Sequence, residues 1–431
     1  MKKLLIILLL YVNVCEGKCP VSIDGYEDDW SSIAPLWTSA GHTVRSVHAA
    51  ADSETLYFKL TFSSPVIVQQ AGSLSIVVRS SKGVSLFDWN FDKRTGSENG
   101  NPASVEDVDL TLAPSWKTPW VEFSIRRSII SSLKDLTLEV QSGATAAQSV
   151  RMKYIPFILP QEGRGTEVVL PVKPLSNIRL VSYNFESNGI NDSLKRIAFG
   201  RLLKMLQPDI VALQELYNSS AADVEKLMED ALRGDWHVAK QGQDLIVASR
   251  FKITNSRLLS QFKYGAASVF RIDLGSTSDK DLDLINIHMP CCNYDSAEIR
   301  RNIISDEIYR YVQTRPGEEA KFPILIAGDL NPVGEDFPLR KIVEDLDFEL
   351  ARPSHPDGCL AFTWYKPKSR FATTILDFIA HREVSQSNTF ICSTSVLPQK
   401  LLREYNIDKE TSFGLSDHFP IVLDFRPVNR R

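Results

Sequence analysis

The sequence predicts two structural units in series, an all-β sandwich followed by an α/β sandwich. Three observations predict this. Apolar and polar residues alternate through most of residues 20–155. Strand and helix patterns mix after residue 176, and the stretch between carries Pro156, Pro160, Pro171, Pro174 and the Gly163-Arg-Gly165 pair. At 431 residues the chain is long enough for two cores. With 43% hydrophobic and 24% charged residues, wholesale disorder is excluded. The net charge of -4 gives no global attraction to nucleic acid, so a polyanion would have to be held by a local patch or a metal.

Residues 1–17 read as an export signal. Lys2 and Lys3 form a charged head, and Leu4 to Val12 form an apolar run too short to span a bilayer. Cleavage is expected after Gly17, and the residues before Cys15 and Cys19 are poor contexts for lipidation. The expectation is a secreted or periplasmic protein with no transmembrane segment. With Cys15 removed, Cys19, Cys291, Cys292, Cys359 and Cys392 remain, an odd number that cannot all pair internally. Cys291 and Cys292 are expected either to bond each other or to pair separately with Cys359 and Cys392.

Residues 18–155 carry the sandwich pattern. In Leu56-Tyr-Phe58-Lys-Leu60-Thr-Phe62 the alternate apolar positions face one side, and Val121-Glu-Phe123-Ser-Ile125 and Leu136-Thr-Leu138-Glu-Val140 repeat the scheme. Gly, Ser and Asp clusters separate the runs, as antiparallel sheets require. The segment Ile23-Asp24-Gly25-Tyr-Glu-Asp-Asp-Trp30, with Ala51-Asp-Ser-Glu-Thr-Leu56, resembles the opening of family-9-like carbohydrate-binding modules. That resemblance implies a glycan or cell-surface ligand. Trp30, Trp37, Trp89, Trp116 and Trp120 either stack on a sugar or pack in the core. Asp88-Trp-Asn90-Phe-Asp92 alternates oxygen donors as a calcium loop does, but Lys93 stands where such a loop needs Gly, so Ca2+ finds no support.

Residues 156–176 read as a linker, with one short strand expected from Glu167 to Val172. Residues 177–427 form the second unit. Buried strands are expected at Ile178–Tyr183, Ile210–Leu213, Leu245–Val247, Val269–Leu274, Leu282–Ile287, Ile324–Ala327, Thr374–Ile379 and Ile421–Phe425. Helices are expected from Leu194 to Leu206, where Pro208 forbids continuation, and from Ser296 to Gln313. The mixture implies sheets inside and helices outside.

The chemistry-bearing groups fall at the ends of these apolar runs: Ser182-Tyr-Asn184-Phe-Glu186, Leu213-Gln-Glu215, Ile287-His288-Met-Pro290, Gly328-Asp329-Leu-Asn331, Leu376-Asp377-Phe and Ser416-Asp417-His418. Residues two apart on a strand share a face, so Asn184 and Glu186 are expected to converge, as are Asp329 and Asn331. Asp417 and His418 are adjacent and fit a loop entering the last strand. Oxygen donors without a Cys or multi-His cluster suit Mg2+ or Mn2+ rather than zinc. Hydrolysis of an anionic phosphodiester needs such a cation, because the substrate repels hydroxide. No nucleophilic Ser or Cys motif is present, so direct attack by water is expected.

In these segments and their order, residues 177–427 resemble the endonuclease/exonuclease/phosphatase superfamily. The resemblance implies a four-layered α/β/β/α sandwich that hydrolyses phosphoester bonds with a divalent metal. It further implies Glu215 as the main metal ligand with Asn184 beside it, and Asp417, the acidic neighbour of the final histidine, as a further metal residue. Asp329 and Asn331 would position water, His288 would bind phosphate or donate a proton, and Asp377 would orient His418. The resemblance leaves open whether His418 works on water or stays charged against the phosphorus, and leaves the role of Glu186 open.

Candidate phosphate contacts beyond these are Arg300 and Arg301, and Lys366, Lys368 and Arg370 in the segment Phe362-Thr-Trp364-Tyr365-Lys-Pro-Lys-Ser-Arg-Phe371. Cations interleaved with aromatics grip a backbone and stack a base, which favours DNA or RNA without base specificity. The alternatives are a phospholipid hydrolase of the sphingomyelinase type, an inositol-phosphate phosphoesterase, and a non-catalytic carbohydrate-binding or adhesive protein.

Overall fold

The computed structural model describes residues 19–68, 74–141, 148–157 and 168–428. The leader expected at 1–17 and much of the linker expected at 156–176 lie outside them. Residues 168–172 form no strand, so the short strand expected to end at Val172 is not present there.

The first third is all β, in two antiparallel sheets. One orders its strands Trp37–Thr38, Val44–Ala51, Thr55–Val66, Thr118–Arg126 and Thr111–Ala113. The other orders them Gln148–Tyr154, Lys134–Gln141, Ser75–Arg79, Ser85–Asn90, Thr95–Glu98 and Asn101–Ala103. The inward apolar positions, among them Leu56, Phe58, Leu60, Ile76, Val78, Phe123, Ile125, Leu136 and Leu138, meet in one core, as period-two patterning demands. Trp30 and Trp89 are buried, and Trp37, Trp116 and Trp120 are half-buried, so none of the five presents a fully open face for a sugar. The segment read against a calcium loop is strand and turn: Asp88 accepts the Ser97 hydroxyl and Asn90 Oδ1 accepts the Lys93 N–H at 2.7 Å.

The second unit is an α/β sandwich of two six-stranded sheets. The first runs His237–Gln241, Leu245–Ser249, Ile210–Gln214, Ile178–Asn184, Ile421–Pro427 and Val384–Ile391. The second runs Lys252–Phe262, Gly265–Asp273, Leu282–His288, Ile324–Asp329, Asp377–Arg382 and Glu349–Leu350. Each sheet contains a single parallel pair: Ile178–Asn184 beside Ile210–Gln214, and Leu282–His288 beside Ile324–Asp329. Strands buried on both faces need near-continuous apolar runs, and Leu245–Ser249, four apolar residues and a serine, is buried throughout. Ser193–Leu206 and Ala221–Ala231 cover the first sheet through Phe199, Leu202, Leu203, Val224 and Met228. Asp295–Gln313 and Phe337–Val343 cover the second through Ile304, Ile308, Leu339 and Ile342.

Between the sheets, Gln214 Nε2 donates to Asn286 Oδ1 at 2.7 Å, and Asn286 Nδ2 donates to the Leu213 and Ile246 carbonyls at 3.0 and 3.2 Å. Buried amides without partners would cost about 1–3 kcal/mol each, so this bridge fixes the register of one sheet on the other. It thereby brings the ends of the two parallel pairs to the same edge.

The sandwich is packed directly on the second unit. Val21, Ile23, Trp30, Tyr57 and Ala113 belong to the same apolar cluster as Ile285, Ile326 and Phe378. Cys19 is disulfide-bonded to Cys359. This corrects the expected pairings: Cys359 is taken, Cys392 is free and buried in an apolar cluster, and Cys291 and Cys292 are free thiols with Sγ atoms 2.8 Å apart.

Candidate active site

Four strand ends deliver the site. Ile178–Asn184 ends in Asn184, Ile210–Gln214 runs into Glu215, Leu282–His288 ends in His288, and Ile324–Asp329 ends in Asp329. Asn184 Nδ2 donates to Glu215 Oε1 at 3.0 Å and to Asp329 Oδ2 at 3.1 Å, tying the two sheets together at their shared edge. Glu215 sits at φ +62° and Asn331 at φ +43°, left-handed conformations that cost a non-glycine residue about 1–2 kcal/mol. Gly328 is required before Asp329: its φ is +142°, and an added Cβ would lie 1.9 Å from the Ile287 carbonyl oxygen.

Asp329 lies between two imidazoles. Its Oδ2 is 3.8 Å from His418 Nε2 and 4.0 Å from His288 Nε2, and accepts Asn331 Nδ2 at 2.8 Å; Oδ1 accepts the Asn331 N–H at 2.9 Å. Burial pushes this carboxyl up to about 7, against the opposing pull of His418. The other nitrogen of each imidazole faces a carboxylate. His418 Nδ1 is 2.8 Å from Asp377 Oδ2, and His288 Nδ1 is 2.5 Å from Asp244 Oδ2. Burial disfavours the charged ring in both. The Asp377 and Asp329 charges outweigh it at His418, raising it to about 10, and the Asp244 hydrogen bond and charge do so at His288, raising it to about 9. Asp377 is itself fixed, since Thr363 Oγ1 accepts the Leu376 and Asp377 N–H groups at 2.9 Å each.

These groups open into a cavity of about 420 Å³. Glu215, His288, Asp329, Asn331, Asp417 and His418 line it with polar groups, and Tyr217, Tyr264, Trp364 and Phe371 with aromatic rings.

Asn184, Glu215, His288, Asp329, Asn331, Asp377 and His418 are thus gathered in one place. Asp417 joins them at the mouth, 4.0 Å from His418 Nε2, where its Oδ2 accepts Trp364 Nε1 at 3.2 Å and Lys366 Nζ at 3.1 Å. Glu186 does not converge on Asn184 through strand alternation. It lies beyond the strand end at φ +28° and pairs with Lys366 at 3.1 Å. Lys368 and Arg370 are exposed, and Arg300 is half-buried with its guanidinium 5.9 Å from the Phe262 ring centre.

Arg301 is a correction. It is fully buried on the inner face of its helix and donates to the Pro290 and Cys292 carbonyls at 2.8 and 2.7 Å and to Glu298 at 2.5 Å. It shapes the loop after His288 and is not placed to meet a substrate.

Asp244 was not singled out in the sequence, although it opens the apolar strand Leu245–Ser249 as the other site carboxylates adjoin theirs. Tyr217 and Tyr264 carry no such signal.

The donor set fits a hard divalent cation: Glu215 and Asp329 bring carboxylate oxygens to the cavity, and Asn184, fully buried and outside the lining, is hydrogen-bonded to both. Asp329 also belongs to a second cluster, with Asp377 and His418, whose ligand atoms lie within 4.8 Å of one another. There, however, the imidazole is hydrogen-bonded to Asp377 and held protonated, which suits a fixed positive charge better than a metal ligand.

The profile of the endonuclease/exonuclease/phosphatase family matches residues 181–418. No curated protein matches the chain. Among solved structures, D. rerio TDP2 humanised by 14 mutations is 16% identical, with 58% of this chain and 99% of that one covered at a TM-score of 0.42. The human nocturnin catalytic domain with bound sulfate is also 16% identical, covering 58% and 94% at 0.41. Staphylococcus aureus beta toxin 275-280 is 16% identical, covering 57% and 99% at 0.39. The profile spans more than half of the 431 residues, from the first parallel strand to the histidine of the final loop. On that match the chain belongs to the endonuclease/exonuclease/phosphatase family, hydrolases acting on phosphoester bonds.

Proposed function

We propose that the protein is an exported, Mg2+- or Mn2+-dependent phosphodiesterase that cleaves DNA or RNA with little base specificity. The observation that carries the reading is Asp329 set between two carboxylate-backed imidazoles at the rim of an oxygen-donor floor. Glu215 and Asn184 would hold the cation, which offsets the charge of the phosphodiester when bound. Asp329, oriented by Asn331, accepts a proton from the attacking water. His288, protonated at neutral pH through Asp244, donates to the departing oxygen. A ring held near 10 is a poor base at neutral pH, so His418 acts as a fixed charge that steadies the pentacovalent phosphorus.

The substrate reading is supported by Trp364 and Phe371, which line the cavity, and by the exposed cations Lys368 and Arg370 of the same segment, Lys366 being paired with Glu186 and Asp417. A phospholipid substrate would call for an exposed aromatic hairpin. Tyr264, at the tip between Lys252–Phe262 and Gly265–Asp273, is a single ring, too little to anchor in a bilayer. Among the described residues no helix is long and apolar enough to cross a membrane. Export rests on the expected leader, and detection of a mature N-terminus at Lys18 in culture medium would test it.

The test of function is a substrate panel of plasmid DNA, RNA, bis-p-nitrophenyl phosphate, sphingomyelin and inositol phosphates, each with Mg2+ and with chelator. Cleavage of DNA or RNA lost with Glu215→Ala supports the reading. Turnover of sphingomyelin or inositol phosphates alone removes the nuclease assignment.

A further inference from the structure

One wall of the active cavity is braced from behind by the sandwich. Phe371, Ala372 and Thr374 line the cavity. The backbone of this segment pairs with the first third of the chain: Thr373 N–H donates to the Leu110 carbonyl at 3.2 Å, Leu112 N–H to the Thr373 carbonyl at 2.9 Å, and Thr374 Oγ1 to the Leu112 carbonyl at 2.7 Å. Ala372 is packed within the sandwich core itself. On its other side Thr374 bridges to Trp364, and Trp364 to His418. A backbone ladder therefore runs from the sandwich to His418.

The sandwich also grips the cationic loop at two points. Glu106 Oε2 accepts the Lys368 N–H at 3.2 Å. The Arg94 guanidinium lies over the Phe371 ring, 4.0 Å from its centre, a cation–π contact that brings its charge beside the cavity. Arg94 ends the turn between Ser85–Asn90 and Thr95–Glu98 at φ +55°, and its Nε is buried with no hydrogen bond among the described residues. Left-handed backbone at a long side chain persists where surrounding contacts hold it. Lys93 beside it, and Lys368 and Arg370 across the seam, are open to solvent.

We infer that the Lys93-Arg94 turn and Arg370 form a second anionic subsite, which binds a phosphate of a polynucleotide distal to the one being cleaved. The inference rests on the nuclease reading and assigns the sandwich a share of the substrate-binding surface. Phosphate contacts position a nucleic acid without reading its bases, so the subsite lengthens the footprint and leaves base preference alone.

The test uses the full chain with Mg2+, comparing single-stranded oligonucleotides with bis-p-nitrophenyl phosphate, which has no second phosphate. Arg94→Gln is expected to lower the ratio of kcat/KM on a ten-residue oligonucleotide to that on the small ester about tenfold, mainly through KM. The slope of log KM against log salt should fall by about 0.7, one single-strand phosphate contact, and Arg94→Lys should restore most of that slope. Lys93→Gln, at an exposed position that cannot threaten folding, should shift the same ratio in the same direction by a smaller factor. Equal losses on both substrates, or an unchanged ratio and salt slope in both variants, would overturn the subsite. Wild-type protein that cleaves no nucleic acid would remove the nuclease reading and the subsite together, whereas an active wild type with indifferent variants removes the subsite alone.

Discussion

Two clusters of buried acid, one in the sandwich and one in the cleft, behave in opposite ways. In the sandwich, Glu122 is fully buried and Asp24 and Asp29 stand beside it. In the cleft, Asp329 is equally buried. Burial raises all four: Glu122 well above the usual carboxylate range, Asp24 to about 7, Asp29 to about 6 and Asp329 to about 7. Their partners differ. Glu122 accepts the Asp24 and Gly25 N–H groups and the Trp30 indole, a set of neutral donors that pins the first loop to the sheet. Asp329 faces two imidazoles and a cavity. A shifted carboxyl alone therefore marks no active site; one paired with ionisable groups and turned toward an accessible space does.

The sharpest way to break the comparison is to remove the charge partners. Asp329→Asn or His418→Ala is expected to lower kcat about 100- to 10,000-fold, equivalent to about 3–5 kcal/mol, with little change in melting temperature. Steady-state kinetics beside circular dichroism checks it. Arg301→Ala should show the reverse, about 3 kcal/mol of stability lost in urea titration, because Glu298 and two carbonyls lose a buried partner.

Asp244→Asn should lower kcat about 10- to 100-fold. It also removes the group that raises His288 to about 9. A donor must be protonated, so activity falls as pH rises through its pKa. The basic limb of the pH–rate profile is therefore expected at lower pH in the variant than in the wild type.

The smallest effect belongs to the sandwich cluster. Asp24 is raised to about 7 in the folded protein from 3.8, so the folded state holds the proton more tightly. Its contribution is greatest below the unfolded value and is lost as pH climbs to about 7. Asp24→Asn keeps the acceptor for Tyr26 N–H and removes the charge, and should stabilise by about 2 kcal/mol at pH 8 and by less at pH 5. Thermal melts at the two pH values decide it, and turnover should be untouched.

Much of the site was legible because its residues sit where apolar strands end. Asn184, Glu215, His288 and Asp329 each follow a run whose burial was readable, and Asp377 and His418 flank two more. Asp244 escaped because its partner His288 lies 44 residues away and in the other sheet, a proximity no local pattern encodes. Arg301 was misassigned although its helix held the answer: Ala297, Ile304, Ser305 and Ile308 lie on the same face and all are buried. The strand Lys252–Phe262 was missed because it is an edge strand with irregular register and mostly open side chains, so it lacks a buried alternation. The helix Ala221–Ala231 was overlooked, although Val224, Leu227 and Met228 repeat at helical spacing behind a Ser220–Asp223 capping box. The backbone part of the sandwich's docking left no sequence trace, since Leu110–Leu112 and Thr373 join by bonds indifferent to side-chain identity.

The most direct measurement is the initial rate of bis-p-nitrophenyl phosphate hydrolysis by purified full-length protein, titrated with Mg2+ and back-titrated with EDTA, for wild type and Asp329→Asn. The account predicts a saturable Mg2+ dependence that EDTA reverses, and at least a hundredfold lower rate in a variant that folds normally. A rate that ignores chelation, or survives intact in Asp329→Asn, would contradict it.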